Sequence, residues 1–300
     1  MLPEKEGRIN MADFVTLFPT CDIAAVPESF GEIERTFNTV LGAKTTYKGL
    51  LGGAGLLTSS TFDRGPALHT RDDGSDWIII KGKLFDISSG HEDSAPADLL
   101  DVLIRNDVQA LNRFEGTFAL AAWDARARRG WILNDQASML DLFYAETEHG
   151  IYASTNVLAL ARALGCVLDP ACLREFLARG VLVAPSSMFK GIRRVNIGEH
   201  LICRDGELRV SRHWSAYAEE LDARNISATL GEFTELIASR IAGYADSSRS
   251  ILCDLTGGLD SRLILAGASS IIALRLATIE QLCQELSFEP DADFLTRDLE

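Results

Sequence analysis

Three stretches between residues 116 and 212 share one design: an apolar run, a short polar turn and an apolar return. Residues 116–124 (GTFALAAWD) pass through the basic turn Arg126-Ala127-Arg128-Arg129-Gly130 into 130–134 (GWILN). Residues 142–145 and 150–154 flank a turn at 146–149. Residues 199–204 and 207–212 flank Asp205-Gly206, the signature of a type I′ turn. Hairpins this apolar need cover on both faces. The pattern therefore predicts two packed sheets flanked by helices over about residues 11–212.

The segments around the hairpins supply the helices. Phe30, Ile33, Phe37, Val40 and Leu41 fall on one helical face of residues 30–41. Residues 99–112 are amphipathic, with Leu99, Leu100, Leu103, Ile104 and Leu111 on the buried side. Residues 156–164 and 170–179 also read as helices, the second with Asp169 as N-cap and Pro170 at its first position. Phe14 to Phe18 reads as a strand, and Trp77-Ile78-Ile79-Ile80 as a short buried one that closes on Lys81-Gly82. Trp77, Trp123, Trp131 and Trp214 read as core. His149, His200 and His213 sit at strand or hairpin ends without metal spacing and read as surface or structural, and the Arg126–Arg129 cluster as a solvated turn.

After Trp214 the pattern changes. Residues 215–228 are polar and linker-like, and Leu230, Phe233, Leu236, Ile237, Ile241 and Tyr244 then recur at helical spacing. Residues 250–255 (SILCDL) form a short apolar strand that runs into Thr256-Gly257-Gly258-Leu259-Asp260-Ser261 and an apolar helix over 262–268. Two glycines let backbone N–H groups turn inward with no Cβ in the way. A helix start aims its positive dipole end at the same point. Thr256 and Ser261 add hydroxyls, and the carboxylate of Asp260 suits a phosphate only with a divalent cation between them. The group fits pyrophosphate with Mg2+, with Asp260 as the metal contact. Asp254 reads equally as a nucleotide contact or a strand-end turn.

The net charge of −14 (29 Lys+Arg against 43 Asp+Glu) repels a phosphate backbone and argues against nucleic-acid binding. No apolar run reaches the roughly 18 residues a membrane span needs, and the charged MLPEKEGRIN start lacks the apolar core of a signal peptide. The six cysteines are scattered without a C-x-x-C pair and read as reduced thiols, which points to the cytoplasm. Residues 1–10 read as a disordered lead.

Residues 254–262 (DLTGGLDSR) resemble the SGGxDS pyrophosphate loop of ATP-pyrophosphatases, with Thr256 in place of the first serine. Residues 111–124, 151–164 and 188–200, followed by His213-Trp214, resemble in order the segments of the class II glutamine amidotransferase domain of asparagine synthetases. β-Lactam synthetases and lasso-peptide cyclases share that architecture. The resemblance implies an α+β then α/β fold: an N-terminal-nucleophile-type α/β/β/α sandwich over 11–214, then a partial parallel-sheet ATP-pyrophosphatase domain over 225–300. It further implies ATP and Mg2+ bound by Thr256, Gly257, Gly258, Asp260 and Ser261. The reaction it implies activates a carboxylate as its acyl-adenylate and releases pyrophosphate. Aspartate is the family's default acceptor, with a peptide or metabolite carboxylate as the variant.

The chain also departs from the family pattern. The glutaminase of the family uses a cysteine directly after the initiator methionine as nucleophile. Here Leu2 follows Met1, and Ala12 follows Met11 if that is the equivalent start; Cys21 is the nearest thiol. The oxyanion segment N-G-E is matched by Lys81-Gly82-Lys83, and the R-D-x-x-G-x-x-P-L-Y-Y stretch by residues 134–144 (NDQASMLDLFY). No lysine follows Lys190, so the family's late lysine is missing and the synthetase domain reads as truncated. Residues 271–279 allow one more strand or helix, and 287–300 read as a fraying acidic tail. These features lead to a ligase of asparagine-synthetase type without its glutaminase nucleophile, or to a non-catalytic remnant or scaffold. A partner chain that completes the synthetase domain would decide between them.

Overall fold

The computed structural model describes residues 12–61, 66–71, 74–87, 95–216, 226–246, 258, 260, 261, 264 and 265. The chain divides into two compact units, Met1–Ala218 and Glu219–Glu300.

The first unit is α+β and holds two six-stranded sheets whose paired strands all run antiparallel. Its elements run β1 (Ala12–Pro19), α1 (Ser29–Thr39), β2 (Lys44–Leu51), β3 (Ala54–Ser60), β4 (Ala67–Thr70) and β5 (Trp77–Asp86). Then come α2 (Ala95–Arg105), a 3-10 turn (Gln109–Arg113), β6 (Phe114–Asp124), β7 (Arg129–Asn134), β8 (Phe143–Thr147) and β9 (Gly150–Ser154). The unit closes with α3 (Val157–Ala163), α4 (Pro170–Arg179), β10 (Ile192–Arg194), β11 (Glu199–Arg204) and β12 (Glu207–Arg212). One sheet has the order β10-β8-β9-β1-β3-β2 and the other β12-β11-β7-β6-β5-β4.

Three apolar layers explain the stacking. Phe14, Phe18, Leu56, Trp77, Trp123 and Ile132 belong to the cluster that joins the two sheets. A second cluster joins Leu99, Leu100 and Leu103 of α2 to Ile78, Ile80, Leu120 and Trp131 of one sheet. A third joins Phe30, Ile33 and Phe37 of α1 and Leu160 of α3 to Val15, Leu17 and Tyr152 of the other. Period-2 alternation drives the split: along β1, Phe14 and Phe18 go to one cluster and Val15 and Leu17 to another. Phe18 stacks between Trp77 (6.2 Å) and Trp123 (5.5 Å). Gly130 makes room for its ring, since a Cβ there would come within 2.6 Å of it. The two indoles reach the β2–β3 turn, donating to the carbonyls of Leu51 (3.0 Å) and Gly52 (2.7 Å).

The three hairpins form as the turn chemistry predicts, and Asp205 (φ 50°) and Gly206 (φ 80°) have the two positive φ angles of a type I′ turn. Asp169 Oδ1 caps α4 by accepting from Ala171 N (2.8 Å).

Several expectations need correction. The strand at Trp77 does not close on Lys81-Gly82 but runs on to Asp86, because β6 pairs with it along its whole length. The 99–112 helix is two pieces, broken at Asn106 (φ 57°), where Asn tolerates the left-handed region. Val40 lies beyond α1 and is exposed. Strands β2, β3 and β4 carry no clear alternation in sequence, and their pairing comes from neighbours.

Of the second unit, α5 (Ile226–Asp246) is described, so the helix begins inside the stretch read as linker. The strand over 250–255, most of 262–268, residues 271–300 and the lead 1–10 lie outside the described residues. No helix among the described residues is long and apolar enough to cross a membrane, which says nothing of strands.

Candidate functional site

β1 is buried along its whole length, so a carboxylate at its second residue must find partners. Asp13, 8% exposed, has three. Lys81 Nζ of β5 lies 2.8 Å from Oδ1. Thr155 Oγ1 donates to the same oxygen at 2.7 Å and accepts from Phe14 N at 3.1 Å. Asn156 Nδ2 donates to Oδ2 at 3.4 Å. The cluster ties the head of β1 in one sheet to β5 in the other, next to Ala12, the position of the family's nucleophile if Met11 is the equivalent start.

The neighbouring segments are those the resemblance singled out. Gly82 has φ 101°, and a Cβ would lie 2.0 Å from the Thr117 carbonyl oxygen and 2.9 Å from the Leu140 side chain. Glycine is required there on both counts. The loop after β7 is built on Asp135, 2% exposed, whose carboxylate accepts from Phe118 N (3.3 Å), Ala137 N (3.1 Å) and Met139 N (3.2 Å). Asn134 Nδ2 donates to Ser138 Oγ (2.7 Å) and to the Leu140 carbonyl (3.4 Å). The head of β1, Lys81-Gly82 and the 134–140 loop are thus linked contact by contact.

Chemically the cluster is a closed network. Its one hydroxyl, Thr155 Oγ1, is held by Asp13, and its one amine is ion-paired. No described thiol is near it. Cys21 is exposed past the opposite end of β1, and the strand from Asp13 to Pro19 alone spans about 20 Å. Cys203 is buried in the inter-sheet core, and burial pushes its thiol well up. Burial also raises Cys166. Cys253 and Cys283 lie outside the described residues.

Of the loop residues, Thr256 and Gly257 lie outside the described residues. Gly258 and Asp260 are exposed, Asp260 and Ser261 are helical, and Ser261 Oγ donates to the Gly258 carbonyl at 3.2 Å. Asp260 makes no ion pair or hydrogen bond among the described residues. No group of three or more His, Cys, Asp or Glu that could hold a metal occurs among them either.

Sequence reasoning missed the Asp13–Lys81–Thr155 network. Its signal was an aspartate opening a largely apolar strand and a lysine ending an apolar run, two charges set among apolar neighbours.

Residues 88–214 match a family described as a glutamine amidotransferase domain. Among curated proteins, the chain is similar to amidase chry2 of Gibberella zeae, 26% identical over 171 residues, which cover 54% of this chain and 24% of that protein. It is also similar to the glutamine-hydrolysing asparagine synthetase 3 of Bacillus subtilis, 22% identical over 206 residues, covering 64% of this chain and 33% of that one. The chain thus spans 24% and 33% of the lengths of these two relatives. A solved glutamine phosphoribosylpyrophosphate amidotransferase of B. subtilis is 12% identical and covers 86% of this chain and 57% of that chain. Its TM-score of 0.37 is too low to bear on the fold.

Proposed function

We propose that the first unit, of which residues 88–214 match a glutamine amidotransferase domain, is a domain of asparagine-synthetase type that no longer hydrolyses glutamine. On this reading it serves an ATP-dependent ligase that activates a carboxylate as its acyl-adenylate. The observation that supports the first half is the Asp13–Lys81 pair. A nucleophile at the head of β1 needs a free base beside it and donors aimed at a developing oxyanion. Here the Lys81 amine is bound to a carboxylate, the Thr155 hydroxyl is spent on the same carboxylate, and Ala12 carries no nucleophile.

The ligase half rests on residues 254–262. The described part of the loop fits a magnesium-bound phosphate. Asp260 offers an exposed, unpaired oxygen donor among the described residues, and Gly258 is exposed with no Cβ to hold a phosphate away. Magnesium commonly keeps several waters and takes one or two carboxylates with phosphate oxygens, so a single aspartate suffices. When bound, the ion neutralises charge on the departing pyrophosphate. Asp260 would hold it, while the Gly257 and Gly258 backbone and the Thr256 and Ser261 hydroxyls would orient the phosphates. The acceptor is a small-molecule or peptide carboxylate.

Two measurements on the purified full chain test this reading. Ammonia release from glutamine should stay at background; release above background that disappears in Cys21→Ala would overturn the first half. Calorimetric titration with Mg2+-ATP should give weak binding that Asp260→Ala weakens further; binding indifferent to Asp260→Ala would take the loop out of the site.

A further inference from the structure

We infer that His200 and His213 form an acid-sensitive latch that holds α2 and the Gln109–Arg113 turn on the second sheet. His200 on β11 pairs with Leu133 on β7, so its side chain shares a sheet face with Leu133 and Trp131. That is the face on which α2 packs. His200 is 2% exposed and borders a small cavity walled by Val102, Leu103, Asn106, Asp107, Leu111 and Trp131, with room for about one water molecule. Neither of its ring nitrogens has a hydrogen-bond partner among the described residues, nor does Nδ1 of His213. The two rings lie edge to face with centroids 5.6 Å apart.

A neutral imidazole is tolerable in such a wall, but an imidazolium is costly, because no acceptor touches either ring nitrogen of His200 among the described residues. Asp107 lines the cavity but is exposed, so water screens its carboxylate, and its Oδ1 accepts from Ala110 N (3.2 Å). On α2, Asp101 and Arg105 are outside the cavity and pair with each other, Asp101 also with Arg71. From β7, Arg129 lies 4.5 Å over the Trp131 ring and donates to the Ile104 carbonyl, a like charge on the same wall. Glu199 on β11 is engaged by Arg212 of β12 (3.7 Å), and Ser211 stands opposite His200. Burial accordingly lowers both imidazoles, and His200 adds to the effect on His213, which falls to about 4.

The sign follows. Both groups prefer to be neutral when folded, so the latch is at full strength above about pH 6.5 and weakens as pH falls toward the folded values. Protonation then selects states in which α2 has lifted from β11 and the imidazoles meet water.

Hydrogen exchange of the full chain, corrected for the intrinsic effect of pH, reads this directly. Going from pH 7.5 to 5.0, amides of α2 and of Gln109–Arg113 should lose protection about tenfold, while β1 and β3 keep theirs. His200→Gln combined with His213→Gln should abolish that local loss. Pressure toward unfolding in the double variant is bypassed by following the imidazole resonances of the unaltered protein. His213 should titrate at about 4 and His200 below the ordinary imidazole value of about 6.5. The latch is refuted by protection that ignores pH, by an equal loss in the double variant or in β1 and β3, or by His200 and His213 titrating at or above the ordinary imidazole value of about 6.5.

Discussion

The Asp13–Lys81 cluster and the His200–His213 pair are both polar insertions into apolar layers, but the two treat their charges in opposite ways. Asp13 has an ammonium, a hydroxyl and an amide on its two oxygens. His200 has no protein partner among the described residues on either nitrogen. A fully bonded ionic cluster is hard to disturb near neutral pH and costly to halve. An unbonded neutral imidazole is cheap to replace and sensitive to one proton. The same domain thus carries a lock and a latch at two separate seams.

Halving the lock should give the largest effect. Lys81→Ala leaves the Asp13 carboxylate at a mostly buried site with only neutral donors. Removing one partner of a fully buried pair costs about 3–5 kcal/mol, and Lys81 keeps 26% of its side chain exposed, so about 2–3 kcal/mol is expected in urea unfolding at pH 7. Asp13→Asn with Lys81→Met should cost less than Lys81→Ala alone, since no unpaired charge remains. A double variant as destabilised as the sum of its singles would mean that the two side chains do not interact.

Asp135→Ala extends the comparison to a carboxylate bonded only by backbone. Three N–H groups lose their acceptor, and Phe118 N is buried. The expected loss is about 2 kcal/mol, with Asp135→Asn in between. A loss under about 0.5 kcal/mol would show that the loop holds its shape without the carboxylate.

At the latch, His200→Leu should change stability by no more than about 1 kcal/mol at pH 7.5, because it removes a polar group that has no partner to lose. The difference between the variant and the unaltered chain should then shift in the variant's favour as pH falls from 6.5 toward 4. The folded state binds fewer protons than the unfolded one at both histidines, so acid penalises the unaltered chain for His200 and His213 and the variant for His213 alone. Parallel stability–pH curves would erase the contrast between the two seams.

How much of this was readable beforehand follows from the range of each interaction. The hairpins, the α4 cap and the buried Trp77, Trp123 and Trp131 depend on a few adjacent residues, and the sequence shows them, whereas Trp214, also read as core, is only half-buried. The continuation of β5 through Gly82 was not readable, because a glycine at φ 101° looks like a strand end until β6 is known to lie beside it. The break at Asn106 was hidden for the same kind of reason, since the apolar period continues to Leu111 across it. The site was harder still. Asp13 and Thr155 are 142 residues apart, and only the pairing of β1 with β9 brings them together. His200 looked like one more hairpin-end histidine, and register alone puts it under α2.

The smallest effect is expected at Cys21. If the first unit kept a thiol nucleophile among the described residues, Cys21 would be the candidate by chain order, being the thiol nearest the head of β1. The fold separates the two: Cys21 is exposed beyond Pro19, while Asp13 and Lys81 are at the other end of the strand. An exposed side chain away from caps, cavities and ion pairs contributes within about 0.5 kcal/mol, so Cys21→Ser should leave the urea midpoint where it was. It should also leave ammonia release from glutamine at the same background, in contrast to Lys81→Ala, which should unfold the domain more readily without creating activity. A Cys21→Ser chain that loses a measurable glutaminase rate would place the chemistry at the end of β1 opposite the lock. The closed Asp13–Lys81 network would then be a structural tie with no bearing on catalysis.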